Sequence, residues 1–396
     1  MTICPIAQEF DDYLTGAERD LLERGKDFAQ RVVAPSAAQW ESQRRVPVEA
    51  LRAACSEGLA NLELPQEFGG QELRFSAKLR LVEELAKVDF AFAFSLVNHH
   101  NATVRVAGAQ RELAQRLVPR MATGELIGCA AYTEPGHGSD LSGIVTSARP
   151  TGDGWMLAGE KAWITNAAVA GVAITLAQTN PAERNRGIAS FIVEAERAGF
   201  VRHEPYSLQG CHAIGAGGGF RLQDYQAPSE ALLDPPGEAF RRAITSINGA
   251  RTYVAAMCAG MLESAIGRAI SYGDKREAFG KSLLEFQGIR WSLIDAETDL
   301  AALRLLVYRA AQGIDAGQTV TEDAARAKKF AGERTLPHLA ACLQAMGARG
   351  LRDDEPLARH LLAAKTAAFT DGTTEIMNER LGKLVVSRYL SDRQRK

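Results

Sequence analysis

Apolar side chains in the first part of the chain recur at the three- and four-residue spacing that is typical of amphipathic helices. Thr15 to Glu18 has the pattern of a capping box, which opens a helix, and Leu21 and Phe28 follow at helical spacing. The same period is found in segments 48–55, 75–86 and 110–121. We therefore predict an N-terminal helical domain over residues 1–128.

The pattern changes at residue 129, where glycine becomes frequent and the apolar period drops toward two. Alternation of this kind predicts strands. The segments that show it are 155–159, 172–178, 188–193 and 220–225. Turn sequences at 152–154 and 180–181 separate some of them. The prediction for residues 129–243 is a β domain.

Long helical patterns return from residue 244 and continue to the end of the chain. The predicted helices are 248–275, 287–311, 321–346, 357–368 and 375–389. Pro337 lies inside the third of them, where it either kinks or caps the helix. Residues 244–396 are thus predicted to form a helical bundle, and the predicted fold class is mainly α with a central β domain.

The composition narrows the function classes. The chain of 396 residues has 46 basic and 48 acidic side chains, a formal charge of -2. Broad nucleic-acid binding needs a basic surface, so we expect no nucleic-acid partner. No apolar run approaches the ~20 residues of a membrane span, and no membrane span is expected. The N-terminal residues lack a basic segment followed by an apolar one, which argues against a secretory signal.

The cysteines bear on metal sites and on location. The six of them are dispersed, and no two form a C-x-x-C pair. Neither a zinc site nor a redox dithiol is therefore indicated, and we expect no metal. Reduced thiols fit a cytoplasmic protein best.

Two segments of the β region have residue types that suit a flat cofactor or a phosphate. Residues 133–140 combine two glycines and a proline with short polar side chains, which makes a tight loop with exposed backbone N–H groups. Residues 161–166 place a tryptophan near a threonine, and such a pair can stack on a planar ring and donate to it. Taken singly, the first segment is as typical of a surface turn, and the second of a buried core.

Three further segments lie in the C-terminal part. In residues 276–281, Gly280 is typical of a helix C-cap, and Arg276 is either a surface charge or a clamp for a pyrophosphate. Residues 344–350 form a glycine-punctuated turn after a helix. In residues 370–375, Asp371-Gly372 is typical of a plain turn, and Thr373 or Thr374 of a plain N-cap.

In this order and at these separations, the five segments resemble the acyl-CoA dehydrogenase family. The family pattern T-E-P-G-x-G-S-D, W-I-T-N and R-x-x-F-G-K-x-x-x-x-F-Q is matched by residues 133–140, 163–166 and 276–287. The resemblance covers essentially the whole chain. It implies a β-barrel-like middle domain, a C-terminal four-helix bundle, FAD as the cofactor, and a homo-oligomer that is a dimer of dimers.

The cofactor contacts implied by the resemblance fall into two groups. The residues that would follow the flavin and its phosphates are Tyr132, Thr133, Gly138, Ser139, Trp163 and Thr165. The residues that would reach the FAD of a neighbouring subunit are Arg276, Phe279, Gln287, Gln344 and Gly347. Thr373 would contact the cofactor near the catalytic turn.

The family removes a proton from the α-carbon of an acyl thioester and a hydride from its β-carbon, so the resemblance implies conversion of an acyl-CoA to an enoyl-CoA. Most members carry the base in an aromatic-Glu-Gly-Thr turn, whereas this chain has Asp371 in place of the glutamate. Aspartate is one methylene shorter, and a misplacement of ~1 Å can cost about a hundredfold in rate. Some branches carry the base at the position of Ala250, which is no acid here. Asp371 is therefore the predicted base.

Two further departures concern the substrate. Asn248 stands where many members have an acid, which leaves the carrier of the acyl group open between CoA and a protein-bound phosphopantetheine. Arg251 is kept and, with Ser139, is expected to contact the substrate. His99 and His100 lie near where family members line the acyl pocket, and they are either core histidines or pocket residues suited to a short or functionalised chain.

Two function classes follow. The first is a dehydrogenase of acyl-CoA or acyl-carrier thioesters that passes electrons to an electron-transfer flavoprotein or a similar acceptor. The second is a flavin monooxygenase or a non-catalytic flavoprotein of the same fold. Monooxygenases of this fold usually lack a carboxylate at the position of Asp371, so its presence favours the dehydrogenase.

Overall fold

The structure, a computed structural model, describes residues 5–45, 47–212 and 218–394. Its elements belong to two compact units. One unit contains residues 31–74 and 91–246, and we call it the sheet unit. The other contains residues 1–30, 75–90 and 247–396, and we call it the helical unit.

The described residues form the following elements. The helices are α1 Ile6–Asp12, α2 Gly16–Phe28, α3 Ala37–Gln43, α4 Val48–Ser56, α5 Phe75–Ala86, α6 Phe90–Ala107, α7 Arg111–Ala122, α8 Ala239–Lys275, α9 Gln287–Asp315, α10 Thr321–Met346, α11 Leu357–Phe369 and α12 Thr374–Gln394. The strands are β1 Ile127–Ala131, β2 Ser147–Thr151, β3 Gly154–Lys161, β4 Ala170–Gln178, β5 Ile188–Glu194, β6 Phe200–Arg202, β7 Phe220–Pro228, β8 Leu232–Asp234, β9 Glu277–Ala278 and β10 Lys281–Ser282. The predicted fold class, mainly α with a central sheet domain, is confirmed.

The sheet unit is built on one sheet in the order β6-β7-β3-β2-β4-β5-β8, with β1 added in parallel to β4. Most other pairs are antiparallel, because turns such as 152–153 connect neighbouring strands directly. Phe191 and Tyr225 are fully buried in a core on the sheet. A second core joins Ile174 and Ile192 to α6 and α7, where Leu117 has no exposed surface.

Helix α5 is buried along its whole length and carries four ionisable side chains into the helical unit. Arg80 pairs with Asp11 and with Glu84, at 2.6 and 2.8 Å. Glu83 pairs with Arg304 of α9 at 2.7 Å. Burying a charge is costly unless it is paired, so these residues form one compensated network.

Three further side chains, Glu263, Lys87 and Tyr308, complete that network. Glu263 of α8 pairs with Arg304 at 2.6 Å and with Lys87 at 2.7 Å. The hydroxyl of Tyr308 donates to Glu83 at 2.9 Å. Gly260 lets α8 approach α5 closely, since a Cβ there would lie 2.2 Å from the backbone oxygen of Glu83. The helical unit is therefore held partly by buried ion pairs.

Several helix boundaries agree with the sequence. The Thr15 hydroxyl accepts from the backbone N–H of Glu18, whose carboxylate accepts from the backbone N–H of Thr15, so the capping box is present. Helix α10 spans the predicted range, with Pro337 inside it. Helix α8 begins at Ala239, nine residues before the predicted start.

The prediction that Gly280 caps a helix is wrong. Helix α8 ends at Lys275, and β9 and β10 form a hairpin. Its two turn residues, Phe279 and Gly280, have φ angles of 52° and 77°. Positive φ at both central positions is the mark of a type I′ turn. Glycine favours this turn for the same reason that it favours helix C-caps, so the local sequence does not separate them.

Helix α8 is, among the described residues, long and apolar enough to cross a membrane by length and composition alone. In its most apolar window, however, 72% of the residues are buried inside the chain, as in the core helix of a folded domain. The cysteines that the structure describes, Cys55, Cys129, Cys211, Cys258 and Cys342, are free and buried. Cys4 lies outside the described residues.

Candidate functional site

A buried ion pair between Glu134 and Lys161 anchors the loop of residues 133–140 in the sheet unit. Nζ of Lys161 lies 2.8 Å from Oε1 of Glu134, and the two side chains are 0% and 2% exposed. Glu134 also accepts backbone N–H groups from Val145 and Thr146, at 2.7 and 3.0 Å. The Glu134 carboxylate therefore joins the start of the loop to β3 and to the segment that follows the loop.

The electrostatics of this anchor follow from its burial. Burial lowers the pKa of Lys161 to about 8, although Glu134 opposes the shift. Burial alone would raise the pKa of Glu134, but Lys161 and the hydrogen bonds to the carboxylate hold it below its usual value. The sequence alone gives no reason to single out Glu134 or Lys161, although they lie in segments 133–140 and 161–166.

The glycine-rich part of the same loop, residues 136–139, is accessible to solvent. Gly138 and Ser139 are exposed, and Tyr132 and Thr133 are half-buried. A Cβ at Gly136 would meet nothing within 4 Å, and one at Gly138 would meet only a methyl group of Thr133 at 3.9 Å. The fold itself therefore does not require glycine at these positions, and the bare backbone is accessible to a ligand.

Trp163 follows Ala162, whose N–H donates to the carbonyl of Thr133 at 3.1 Å, so a hydrogen bond joins its segment to the start of this loop. The Trp163 side chain is 60% exposed, with φ of 60°, and its ring lies 4.5 Å from that of Tyr206. The alternative that this tryptophan is a core residue is thus wrong. The neighbouring Thr165 is buried.

Asn166 holds this segment to α6. Its Nδ2 donates to the carbonyl of Ser95 at 2.9 Å, and the Ser95 hydroxyl donates back to Oδ1 at 2.5 Å. Asn166 has no exposed surface and a φ of 68°. These bonds hold in place the segment from which the Trp163 side chain reaches solvent.

His99 and His100 are bonded inside the sheet unit. His99 accepts at Nδ1 from the N–H of Gly128 at 2.9 Å and donates from Nε2 to the carbonyl of Met121 at 3.0 Å. Burial lowers its pKa to about 4, so the ring is neutral at physiological pH. His100 contacts the carbonyl of Ala60 and the carboxylate of Glu63, each at 2.9 Å. These contacts favour the core alternative, and a substrate contact stays a prediction.

In the helical unit, Asp371 lies in the turn between α11 and α12 with φ of 54°. Nε of Arg251 donates to its backbone carbonyl at 2.9 Å, and Nη1 donates to Asn248 at 2.8 Å. The Thr373 hydroxyl accepts from the N–H of Ile376 at 3.4 Å, as expected of an N-cap. Arg251 is only 4% exposed and serves this turn, and its predicted contact with substrate stays a prediction.

The Asp371 carboxyl is the chemically distinctive group of the helical unit. Its Oδ2 atom is buried and has no hydrogen-bond partner among the described residues. Burial raises its pKa to about 6, while Lys328 and Arg251 oppose the shift. A carboxylate of that pKa is ionised at neutral pH and is a stronger base than an ordinary aspartate.

The remaining predicted cofactor residues are at the surface of the helical unit. Arg276, Gln287 and Gln344 are exposed. Phe279, at the tip of the hairpin, is 97% exposed. Gly347 follows α10 with φ of 58°, a conformation that favours glycine. A fully exposed phenylalanine on a tight turn is a candidate contact for another molecule.

Comparison with known families now decides the assignment. The chain matches the acyl-CoA dehydrogenase N-terminal domain over residues 15–125, the middle domain over 129–219 and the C-terminal domain over 237–385. The chain belongs to the acyl-CoA dehydrogenase family. It is an oxidoreductase that acts on CH–CH donors, and its cofactor is FAD. The open glycine loop and the exposed Trp163 fit a flat cofactor with phosphates.

Individual relatives are similar over almost their whole length. The short-chain specific mitochondrial acyl-CoA dehydrogenase of Bos taurus is 31% identical over 367 residues, which is 92% of this chain and 88% of the relative. The butyryl-CoA dehydrogenase structure from Megasphaera elsdenii has a TM-score of 0.87 at 29% identity and covers 94% of this chain and 99% of its own. The structure of PigA with FAD and proline has a TM-score of 0.89 at 28% identity, covering 95% and 99%.

Proposed function

We propose that this protein is an FAD-dependent dehydrogenase of a short acyl thioester, with Asp371 as the base that removes the α-proton. The observation that carries the proposal is the Oδ2 atom of Asp371, which is buried and unpartnered on a carboxyl with a pKa of about 6. An unpartnered oxygen is available to a substrate proton, and that pKa lies close to the operating pH of a general base.

The rest of the chain positions this base and the cofactor. FAD, when bound, supplies the hydride acceptor for the β-carbon. Arg251 fixes the backbone of Asp371, and its position matters because about 1 Å can cost a hundredfold in rate. The shorter aspartate is thus proposed to work within a turn that the chain holds firmly.

The cofactor is proposed to contact the residues named from the sequence. In the sheet unit these are Tyr132, Thr133, Gly138, Ser139, Trp163 and Thr165, which are supported by the open loop and the exposed ring. In the helical unit they are Arg276, Phe279, Gln287, Gln344, Gly347 and Thr373, of which the first five are proposed to serve the FAD of a neighbouring subunit. The protein is accordingly proposed to be a dimer of dimers.

A short acyl group is favoured by the similar proteins. The relative from Bos taurus is named short-chain specific, and the structure from Megasphaera elsdenii is named a butyryl-CoA dehydrogenase. The carrier is CoA or a protein-bound phosphopantetheine. Burial of Arg251 against Asn248 and Asp371 favours the second carrier, because it removes one cation that a nucleotide could use. An electron-transfer flavoprotein is the proposed acceptor, and the cytoplasm the proposed location.

Anaerobic bleaching of the bound flavin tests the function. The protein would be mixed with saturated acyl groups of two to eight carbons, each supplied on CoA and on an acyl carrier protein. We expect bleaching by a short member of the panel, with an enoyl thioester as product. Absence of bleaching by every thioester, with FAD fully bound, would overturn the proposal and favour a monooxygenase or a non-catalytic flavoprotein.

A further inference from the structure

Lys328 is a buried lysine that the roles described so far do not use. It lies in the middle of α10 and is 1% exposed. No hydrogen-bond partner reaches its Nζ within the described ranges of the chain. Its buried neighbours on α10 are Ala324, Ala325, Ala327 and Ala331, which offer no polar group. An isolated ammonium in such a place is costly, so a nearby charge must compensate for it.

The adjacent Lys329 shows the ordinary behaviour of a lysine on this helix. Its side chain is 35% exposed, and its Nζ pairs with Glu333 one turn later at 2.6 Å. Lys328 and Lys329 thus have the same charge and the same helix but opposite environments. This pair supplies an internal control for any experiment on Lys328.

The acidic group near Lys328 is Asp371. Burial lowers the pKa of Lys328 and Asp371 opposes that shift, just as Lys328 opposes the burial that raises the pKa of Asp371. The Asp371 Oδ2 atom is, like the Lys328 Nζ, buried without a hydrogen-bond partner in the part of the chain that the structure describes. Gly332, four residues after Lys328, brings α10 against the start of α12, because a Cβ there would lie 2.5 Å from Oγ1 of Thr374. Helix α10 is therefore packed directly on the turn that carries Asp371.

The other charged groups around Asp371 come from two elements. Helix α8 contributes Arg251, which donates to the Asp371 backbone. Cys258 of the same helix interacts with Lys328 instead and is a neutral thiol at neutral pH, because burial raises its pKa to about 11. Helix α12 contributes Arg380, whose positive charge, together with burial, lowers the pKa of Arg251. Arg251 is already bonded to a backbone carbonyl and to Asn248, whereas Lys328 has no other bond. Both cations favour the ionised carboxylate, and the effect of Lys328 is the larger.

We propose that Lys328 is a positioning residue that keeps the buried Asp371 carboxylate ionised and aligned for proton removal. The inference rests on the proposed function, in which Asp371 is the base. Burial favours the neutral acid and would leave the base already protonated near neutral pH. The ammonium of Lys328 opposes that effect, so the carboxylate can be desolvated and reactive while it remains charged.

The first test replaces Lys328 with methionine, which has a similar length and no charge. In Lys328→Met, the acid limb of the pH profile for flavin reduction should move up by at least about one pH unit, since a nearby opposite charge shifts a carboxylate by about one to three units. Activity should recover at alkaline pH, and the FAD content should stay at the parental value. Lys329→Met should keep the parental profile. An unchanged acid limb in Lys328→Met would overturn the proposal.

The second test needs no catalysis. Urea unfolding midpoints of the FAD-loaded protein would be compared for Lys328→Met, Asp371→Asn and the double variant. Asp371→Asn leaves the buried ammonium uncompensated, so the double variant should be more stable than Asp371→Asn alone. Lys328→Met in the parental protein, where Asp371 is present, should not raise the urea midpoint. If the changes in unfolding free energy of the two single variants add up to that of the double variant, the proposed interaction between Lys328 and Asp371 is wrong, because only sites that do not interact give additive changes.

The two tests also separate this inference from the proposed function. Should no thioester bleach the flavin while the double variant shows the expected coupling, the dehydrogenase assignment would fail and the Lys328–Asp371 interaction would stand. If Lys328→Met alone does not fold, the double variant still reports the interaction, since it contains neither buried charge.

Discussion

Arg251 and Asp371 are 120 residues apart in the sequence, and Nε of Arg251 donates a hydrogen bond of 2.9 Å to the backbone carbonyl of Asp371. The bond restrains a residue whose φ is positive and which is followed by Gly372 with φ of 98°. A Cβ at Gly372 would lie 3.3 Å from Nη2 of Arg251. Arg251 thus determines where the predicted base is held.

Loss of the carboxylate should abolish catalysis and leave the fold intact. Asp371→Asn preserves the shape of the turn, so FAD binding should persist while turnover falls at least ~10²-fold. Single-turnover flavin reduction measures this directly. Asp371→Glu is the complementary variant, and its activity should fall if the pocket has adapted to the shorter side chain. Parental turnover by Asp371→Asn would show that Asp371 is only a turn residue.

Removal of the Arg251 guanidinium should loosen the turn. We expect Arg251→Met to lower kcat by about 10- to 100-fold with little loss of FAD, because the base is misplaced while the cofactor loop is untouched. Arg251→Lys should recover only part of the rate, since lysine cannot reproduce two directed N–H donors. Arg241 is exposed on the same helix, and Arg241→Met serves as the control.

The anchor of the loop at 133–140 can be broken with one substitution. Glu134→Gln removes the negative partner of the buried Lys161, which should cost about 3 kcal/mol of folding free energy. FAD should also bind more weakly, since the backbone N–H groups of Val145 and Thr146 lose a charged acceptor. Equilibrium dialysis and thermal unfolding would measure the two effects.

Glu160, which precedes Lys161 in the sequence, provides a control for Glu134→Gln. It pairs with Arg221 at 2.8 Å, and the two side chains are 33% and 51% exposed. Glu160→Gln should therefore change stability by less than about 1 kcal/mol. Equal losses in Glu134→Gln and Glu160→Gln would contradict an anchoring role for Glu134.

Acid should destabilise the helical unit through Glu263. Although burial alone would raise it, Arg304 and Lys87 hold the pKa of Glu263 at about 2, below its ordinary value of 4.5. A depressed carboxyl pKa contributes stability above pH 4.5 that is lost as the pH falls toward 2. The loss amounts to about 3 kcal/mol.

Three other buried groups contribute to the pH dependence of stability. His99 and His360 have pKa values lowered to about 4 by burial, so they cost stability as the pH falls from 6.5. Asp371 has a raised pKa, so its protonation adds to the stability of the folded protein as the pH falls from about 6 to 3.8. Urea midpoints at several pH values should therefore decline toward acid. In Glu263→Gln, the decline below pH 4.5 should be smaller, with lower stability at pH 7.

The hairpin residue Arg276 should be needed for cofactor retention. Arg276→Glu would place a carboxylate against a pyrophosphate and should strip the flavin, giving colourless protein. Lys275→Glu makes the same change of charge on the preceding exposed residue and should remain yellow. Sedimentation should show the flavin-loaded parent as a dimer or larger. A flavin-loaded monomer would contradict the assignment of Arg276 to a neighbour's FAD.

Local sequence signals predicted much of the fold. The capping box at Thr15 and the ends of α10 were predictable because capping and helical spacing are short-range features. Strand β6, of three residues, is too short to show a period. Helix α6 is apolar at nearly every position from Phe90 to Val97 and buries several of its polar residues after that, so it lacks the amphipathic signal. The hairpin at Phe279 was missed because its glycine suits two structures.

The candidate site was predictable only where a sequence motif contained its residues. Asp371 and Trp163 were found by their motifs, and the exposure of Trp163 required the structure. Glu134 and Lys161 lie in the motifs, but their pairing depends on how β3 meets the loop. Lys328 gave no sequence signal, because a lysine within a helix is usually solvated. Such long-range electrostatic partners are set by tertiary packing. The three-part domain division stays a prediction.

The exposure of Trp163 has a practical consequence for spectroscopy. Its indole is 60% exposed beside the loop proposed to hold the flavin, and FAD absorbs in the range where tryptophan emits. Energy transfer would quench Trp163 when the cofactor enters, so the apoprotein would report its own loading in real time. Trp291, which is 64% exposed and lies in the helical unit, also fluoresces. The Trp163→Phe variant would show how much of the signal does not come from Trp163. The proposed flavin site would thus contain an intrinsic fluorescent probe.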